Sequence, residues 1–228
     1  MRMKLLERSM AFSMRSGEVQ LWLLEPRSVL AMAQQSDDLL GQDAGFAAGP
    51  NISPERLGQR CALRMLLSHY IGRPAGQLKL AWGPYGKPSL APDQAGPRFS
   101  ISGSGGWVLA AFSQEEVGVD LECEREDLAQ ESLAERHFSE EEMAWWQAQV
   151  DPAERRRAFL KIWTRKEALL KLRGVGLAGL DALRDRQSPG TAWMEDLPLT
   201  PFLVGCVALH RAPSFLRFRR WSGEEEVE

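Results

Sequence analysis

Three acidic residues stand at spacings that suit a hard cation. In GVDLE (118–122), Asp120 and Glu122 are two apart, and on a strand that spacing turns both carboxylates to one face. In WTRKEALLKLRGVGL (163–177), Trp163, Glu167 and Lys171 follow at four-residue steps, which on a helix aligns them along one side. Lys166 lies about 100° around from Glu167, close enough to reach the same place. Such carboxylates can hold Mg²⁺, which takes oxygen ligands in octahedral geometry and commonly shares them with substrate phosphates. Each feature alone also has a plainer account. The strand pair suits a solvated face opposite Val117, Val119 and Leu121, and Glu167 with Lys171 suits a surface ion pair on a helix. The Trp163 ring suits core packing. Between these segments, HFSEEEMAWW (137–146) supplies Glu142. Ser139 and Glu142 fit a capping box, and a general base at that position would read identically.

These side chains need elements to hold them. VQLWLLE (19–25) predicts a strand, alternating and then fully apolar. SPERLGQRCALRMLLSHYIG (53–72) predicts a helix with Ser53 as N-cap, Pro54 at its first position and Gly72 past its end. Arg56, Arg60 and Arg64 follow one side of it. The stretch 36–50 is rich in Gly, Ala and Asp and predicts a loop with weak helical content. GPYGKPSL (83–90) predicts a turn. RFSIS (98–102) and GWVLAAF (106–112) predict strands joined by GSG, and EVGVDLECE (116–124) predicts a third. Helices are predicted at about 139–148 and 153–172, the second stopped by Gly174. Strands follow at 201–210 and 214–221, and the acidic tail 222–228 predicts disorder.

Composition bounds the class. Apolar residues make up 44% and charged residues 26%, ordinary for a soluble globular chain. A net charge of −3 gives no global field for nucleic acid. Residues 115–142 are acidic and 154–173 basic, so Arg155, Arg156 and Arg157 suit either an acidic partner helix or a solvated face. Cys61, Cys123 and Cys206 are far apart, with no Cys-x-x-Cys pair and no ligand spacing to His69, His137 or His210. That excludes a zinc motif and a disulfide framework, and it fits a reducing cytosol. Charge interrupts the N-terminal stretch, and the longest apolar run, WVLAAF (107–112), is too short for a bilayer. A soluble, cytoplasmic protein without membrane or nucleic-acid partners is expected.

Taken together and in order, GPYGKP (83–88), FSISGSGGWVLAAF (99–112), GVDLE (118–122), FSEEE (138–142) and WTRKEALLKLRGVGL (163–177) resemble the blocks of the 4′-phosphopantetheinyl transferase superfamily. The likeness is to its long, single-chain form and covers roughly residues 19–210. It implies an α+β fold of two similar lobes related by a pseudo-twofold axis, each a small antiparallel sheet packed on a long helix. The N-terminal lobe would be 1–115 and the C-terminal lobe 116–228, with the active site between them in a monomer. It implies transfer of the phosphopantetheine arm of coenzyme A to a serine of an apo acyl or peptidyl carrier protein, as in fatty-acid, polyketide or nonribosomal peptide synthesis. Adenosine 3′,5′-bisphosphate would leave. Asp120, Glu122 and Glu167 would hold Mg²⁺ or Mn²⁺, and Lys171 would touch the pyrophosphate. Lys166 would assist with charge, and Glu142 would take the serine proton. Arg60, Lys87 and Ser102 match positions that contact coenzyme A phosphates; an exposed arginine, a turn lysine and a strand-end serine are their plainer readings.

The chain departs from the family pattern twice. Gly103 stands where a histidine usually lies between two serines, and 36–50 is acidic where relatives are often basic. Both weaken the nucleotide side and leave the carboxylates untouched. The expectation is a working transferase with weaker or altered coenzyme A affinity, with a variant of lost activity also open. A non-catalytic module binding coenzyme A or a carrier protein is the alternative, and a Mg²⁺-dependent phosphodiesterase of the coenzyme A pyrophosphate is a second.

Overall fold

The computed structural model describes residues 12–34, 39–41, 52–125, 130–184, 192–222 and 226–227. Of the loop expected at 36–50 only 39–41 are described, helical with Leu39 and Leu40 buried in the core, and most of the acidic tail lies outside the described residues. The first half runs β1 (Glu18–Leu24), α1 (Pro26–Gln34), α2 (Pro54–Ile71), β2 (Leu80–Trp82), β3 (Pro88–Leu90), β4 (Arg98–Ser104), β5 (Trp107–Ser113) and β6 (Val117–Cys123). The second runs α3 (Gln130–His137), α4 (Glu140–Gln147), α5 (Pro152–Arg173), α6 (Leu180–Arg184), β7 (Trp193–Asp196), β8 (Leu203–Leu209), β9 (Phe215–Trp221) and β10 (Glu226–Val227). The fold is mixed α+β, as expected.

Apart from a two-stranded sheet of β2 and β3, two larger sheets lie between helices. The first has the order β10-β9-β1-β5-β4 and the second β6-β8-β7. All of β1 is buried because both its faces meet apolar layers. Trp22 and Leu24 turn toward α1 and α2, where Val29, Met32, Cys61 and Leu66 complete one core. Val19, Leu21 and Leu23 turn the other way, onto Val117, Val119 and Leu121 of β6 and Leu203, Val207 and Leu209 of β8. Burial on both faces explains a continuous apolar run in place of simple alternation. On the far side of the second sheet, Ala168 and Leu172 of α5 pack on Cys206 and Ala208. Phe138, Trp146 and Phe159, with Trp163 against them, join α3 and α4 to α5. Trp163 therefore serves packing, stacked on Phe159 at 6.0 Å between ring centroids.

Local signals explain the main helices. The Ser53 side chain accepts the Arg56 N–H to cap α2, and that of Asp151 accepts those of Ala153 and Glu154 to cap α5. Gly72 and Gly174 close the same helices in the left-handed conformation. Helices α3 and α6 and strands β2, β7 and β10 were not expected, and three further elements differ from expectation. Helix α1 begins at Pro26, a residue that reads as a breaker but suits a first helical position. The 83–90 turn narrows to 83–87, with Pro88 opening β3, an edge position where its missing N–H costs nothing. Strand β4 continues through Gly103 and Ser104, paired to Val108 and Trp107. Gly105 and Gly106, both at positive φ, make the two-residue turn.

The chain's end returns to its beginning: β9 runs parallel to β1, Trp221 beside Leu24. Among the described residues no helix is long and apolar enough to cross a membrane. All three cysteines are free, Cys61 and Cys206 buried.

Strand β6 and helix α5 meet closely at Gly118. A Cβ built there would fall 2.0 Å from the Ala168 carbonyl oxygen and 2.4 Å from the Leu172 backbone nitrogen. Both neighbours are helix backbone and cannot turn aside. Gly118→Ala should therefore push α5 off β6 and destabilise the protein by about 3 kcal/mol or more, read as a lower denaturant midpoint. A midpoint equal to that of the parent protein would show that the contact has slack.

Candidate active site

The alternation of β6 turns Val117, Val119 and Leu121 into the layer between sheets and Gly118, Asp120 and Glu122 toward α5. That face is covered by the helix. Asp120 is only 3% exposed, so the solvated-face account of the pair does not hold. From α5, Glu167 and Lys171 point to the same place. Lys171 Nζ donates to Asp120 Oδ1 at 2.6 Å and to Ser102 Oγ at 2.9 Å. Ser102 Oγ in turn donates to Asp120 Oδ1 at 2.7 Å. Ser104 Oγ donates to Glu122 Oε2 at 2.7 Å.

The acids disturb one another. Burial pushes Glu167 up to about 7, the Asp120 and Glu122 charges add to this, and Lys171 opposes it. Burial also raises Glu122; the Ser104 bond opposes that shift, and the Asp120 charge adds to it. These interactions put the three carboxyls, from two elements, in one electrostatic neighbourhood. Asp120 Oδ2 is buried with no hydrogen-bond partner among the described residues. Among those residues no group of three or more His, Cys, Asp and Glu side chains is arranged as a ready metal site. The donor chemistry nonetheless fits a hard cation: hard carboxylate oxygens, an orphaned buried oxygen and an excess of negative charge.

Beside this cluster is a cleft of about 270 Å³ lined by Tyr85, Lys87, Ser100, Glu167, Lys171 and Gly176, among others. Lys87 Nζ is held there by Glu116 Oε2 at 2.8 Å and by the carbonyls of Val117 and Leu172. Lysines 87 and 171 thus give the cleft a cationic wall. Arg60 is elsewhere, its guanidinium 4.8 Å from the Trp82 ring centroid, and it does not line this cleft.

Glu142 and Lys166 face a different space, a cleft of about 520 Å³ lined also by Trp145, Arg165, Leu183 and Met194. Glu142 Oε2 accepts the Ser139 N–H at 2.8 Å, completing the capping box of α4. The Lys166 ammonium lies 2.8 Å from the same oxygen, its side chain 5% exposed. This pair ties α4 to α5. Of the basic run, Arg155 lies over the Trp146 ring and Arg157 bonds Glu124 and the Pro201 carbonyl. Gly103 opens on a third cleft, of about 250 Å³, lined by Arg56, Gln59 and Ser104.

Ser104 and Glu116 are the partners that sequence reasoning passed over. Serines 100, 102 and 104 alternate on one face of β4, a pattern readable once β4 is extended. Their register against β6 is not readable, because the strands belong to different sheets.

The sequence profile of the 4′-phosphopantetheinyl transferase superfamily matches residues 116–202, the span that carries β6, α4 and α5. The chain is 32% identical over 183 residues to the 4′-phosphopantetheinyl transferase HetI of Nostoc, covering 76% of each protein. The chain belongs to this superfamily. It is also 35% identical over 125 residues to a putative 4′-phosphopantetheinyl transferase of Synechocystis, and 39% identical over 112 residues to AcpT of Escherichia coli. Those matches span 50% and 55% of the relatives' lengths.

The raised Glu167 pKa has a sign. Between about pH 4.5 and 7 the folded chain keeps a proton that the unfolded chain has released, so this contribution to stability falls as pH rises through that window. In chelator-treated protein, Glu167→Gln should flatten the fall in unfolding free energy between pH 5 and pH 8 by at most a few kcal/mol, measured by denaturant titration. An unchanged slope would show that Glu167 titrates normally.

Proposed function

We propose that the protein transfers the 4′-phosphopantetheine arm of coenzyme A to a serine of an apo acyl or peptidyl carrier protein, releasing adenosine 3′,5′-bisphosphate. The observation carrying this reading is the meeting of Asp120, Glu122 and Glu167 beside a cleft walled by Lys87 and Lys171. An anionic pocket next to a cationic one suits a divalent cation together with a diphosphate.

In this reading Asp120, Glu122 and Glu167 hold Mg²⁺ or Mn²⁺. When bound, the cation would neutralise pyrophosphate charge and orient its oxygens. Lys171 and Lys87 bind phosphate oxygens, with Ser102 holding Lys171 in place. Arg60, expected to join them, lies over the Trp82 ring outside this cleft and has no part in the reading. The serine oxygen of the carrier attacks the phosphorus bearing the pantetheine arm, the bond to the adenosine bisphosphate breaks, and the serine proton is taken up by a base. Glu142, expected in that role, lines the separate cleft with Lys166 and accepts the Ser139 N–H. Lys166 holds the Glu142 carboxylate from 2.8 Å. The arrangement is proposed as two lobes, 1–115 and 116–228, related by a pseudo-twofold axis. Support comes from the two sheets, one backed by α1 and α2 and the other by α5, although β9 crosses back to the first. A monomer is proposed because β6 and α5 of one chain supply all three acids. A cytoplasmic location is supported by three free cysteines.

The reaction is tested by mass spectrometry of an apo carrier protein incubated with the enzyme, coenzyme A and Mg²⁺. The carrier should gain one phosphopantetheine arm, and Glu167→Ala should lower the rate by about a thousandfold, on the order of 4 kcal/mol of barrier. No mass gain would favour a binding module, and phosphopantetheine released without carrier would indicate a phosphodiesterase.

Gly103 gives a second test. A Cβ there would lie 3.2 Å from the Trp107 carbonyl oxygen and 3.3 Å from Gln59 Cδ, so a histidine requires the Gln59 side chain to give way. Gly103→His combined with Gln59→Ala should lower KM for coenzyme A about tenfold, the effect of one hydrogen bond to a charged group. An unchanged KM would mean that no phosphate lies near position 103.

A further inference from the structure

We propose that Ser104 is a positioning residue for Glu122, fixing that carboxylate beside Asp120 for cation binding. The inference rests on the cation reading of the cluster given above. Asp120 is held twice, by Ser102 and by Lys171. Glu122 has a longer, more mobile side chain, is only partly buried, and its hydrogen-bond partner among the described residues is Ser104 Oγ at 2.7 Å. Without that bond its carboxylate would sweep through several rotamers, and ordering it would oppose cation binding.

The hydroxyl of Ser104 is itself committed. It accepts the Cys123 N–H at 3.1 Å, and a hydroxyl has one proton to donate. That proton goes to Glu122. Turning the hydroxyl elsewhere would strand both the backbone N–H and the carboxylate. The backbone beneath is equally restrained, since Ser104 pairs with Trp107 at the head of the Gly105-Gly106 turn. The turn lies against β6: a Cβ at Gly105 would fall 2.9 Å from Cys123 Cβ. The tip of β4 thus reaches β6 at the position of Glu122, and Ser104 is the side chain that joins them. Ser100 does the same for the β6 backbone, accepting the Val119 N–H at 3.1 Å. It touches no acid, so the role toward the cluster falls to Ser104.

Binding of Mn²⁺ alone, followed by electron paramagnetic resonance without coenzyme A or carrier, tests this. Wild type, Ser104→Ala, Ser104→Thr and Glu122→Gln are compared, with a thermal melt of each. Loss of an outer-shell partner typically weakens metal binding 10- to 100-fold, so Ser104→Ala should bind Mn²⁺ at least about tenfold more weakly. Ser104→Thr, which keeps the hydroxyl, should restore affinity to within about twofold, and Glu122→Gln should bind least. Wild-type affinity in Ser104→Ala overturns the inference, as does equal weakness in Ser104→Thr. Should Ser104→Ala melt early, Ser104→Cys, whose thiol is a weak donor, replaces it with the same outcomes. If wild type binds no Mn²⁺, or Glu122→Gln binds as wild type does, the cation reading itself fails. If Glu122→Gln loses binding while Ser104→Ala keeps it, only the role of Ser104 fails.

Discussion

Helix α5 lies on strand β6 so closely that position 118 has no room for a side chain. A Cβ there would overlap the Ala168 carbonyl oxygen and the Leu172 nitrogen. The rest of the site depends on that contact. It brings Glu167 and Lys171 over Asp120 and Glu122, and it shields Asp120 from water and partly covers Glu122. Removal from water raises the energy of each charge, and the like charges then raise one another further. Glu167 responds most, pushed up to about 7.

A carboxylate group so placed opposes folding, and the surrounding structure offsets the cost locally. Lys171 neutralises Asp120, and the hydroxyls of Ser102 and Ser104 solvate the acids in place of water. One oxygen, Oδ2 of Asp120, is left without a partner. Sites that keep such frustration are commonly functional, because a ligand relieves it. Together with Ser100 these serines of β4 hold two sheets together: Ser100 and Ser104 accept backbone N–H groups of β6, and Ser102 and Ser104 donate to its carboxylates. Fold and site therefore share one seam, and shifting β4 against β6 would undo both.

Much of the fold was legible locally. Ser53, Pro54 and Gly72 marked α2, and Ser139 with Glu142 marked α4, because capping is decided within a few residues. Helix α1 was missed because Pro26 carries two meanings and only its neighbours in space select one. The end of β4 was misread because Gly103 resembles part of a loop, whereas pairing to Val108 draws it into the strand. At the site, the identities of Asp120, Glu122 and Glu167 were legible as motif positions. The separate cleft for Glu142 and Lys166, and the distance of Arg60 from the lysine-walled cleft, were not. They depend on how helices turn once packed.

By itself the amino-acid order determined which residues lie on common faces: Asp120 with Glu122 by the twofold repeat of a strand, Glu167 with Lys171 by the turn of a helix. These are short-range facts of backbone geometry. Whether the acidic face of β6 met water or protein was decided only in three dimensions. Nothing near residue 120 encodes α5, which arrives from more than thirty residues away and is admitted by the missing side chain of Gly118. Burial depends on what packs above a face, and local sequence does not carry that information.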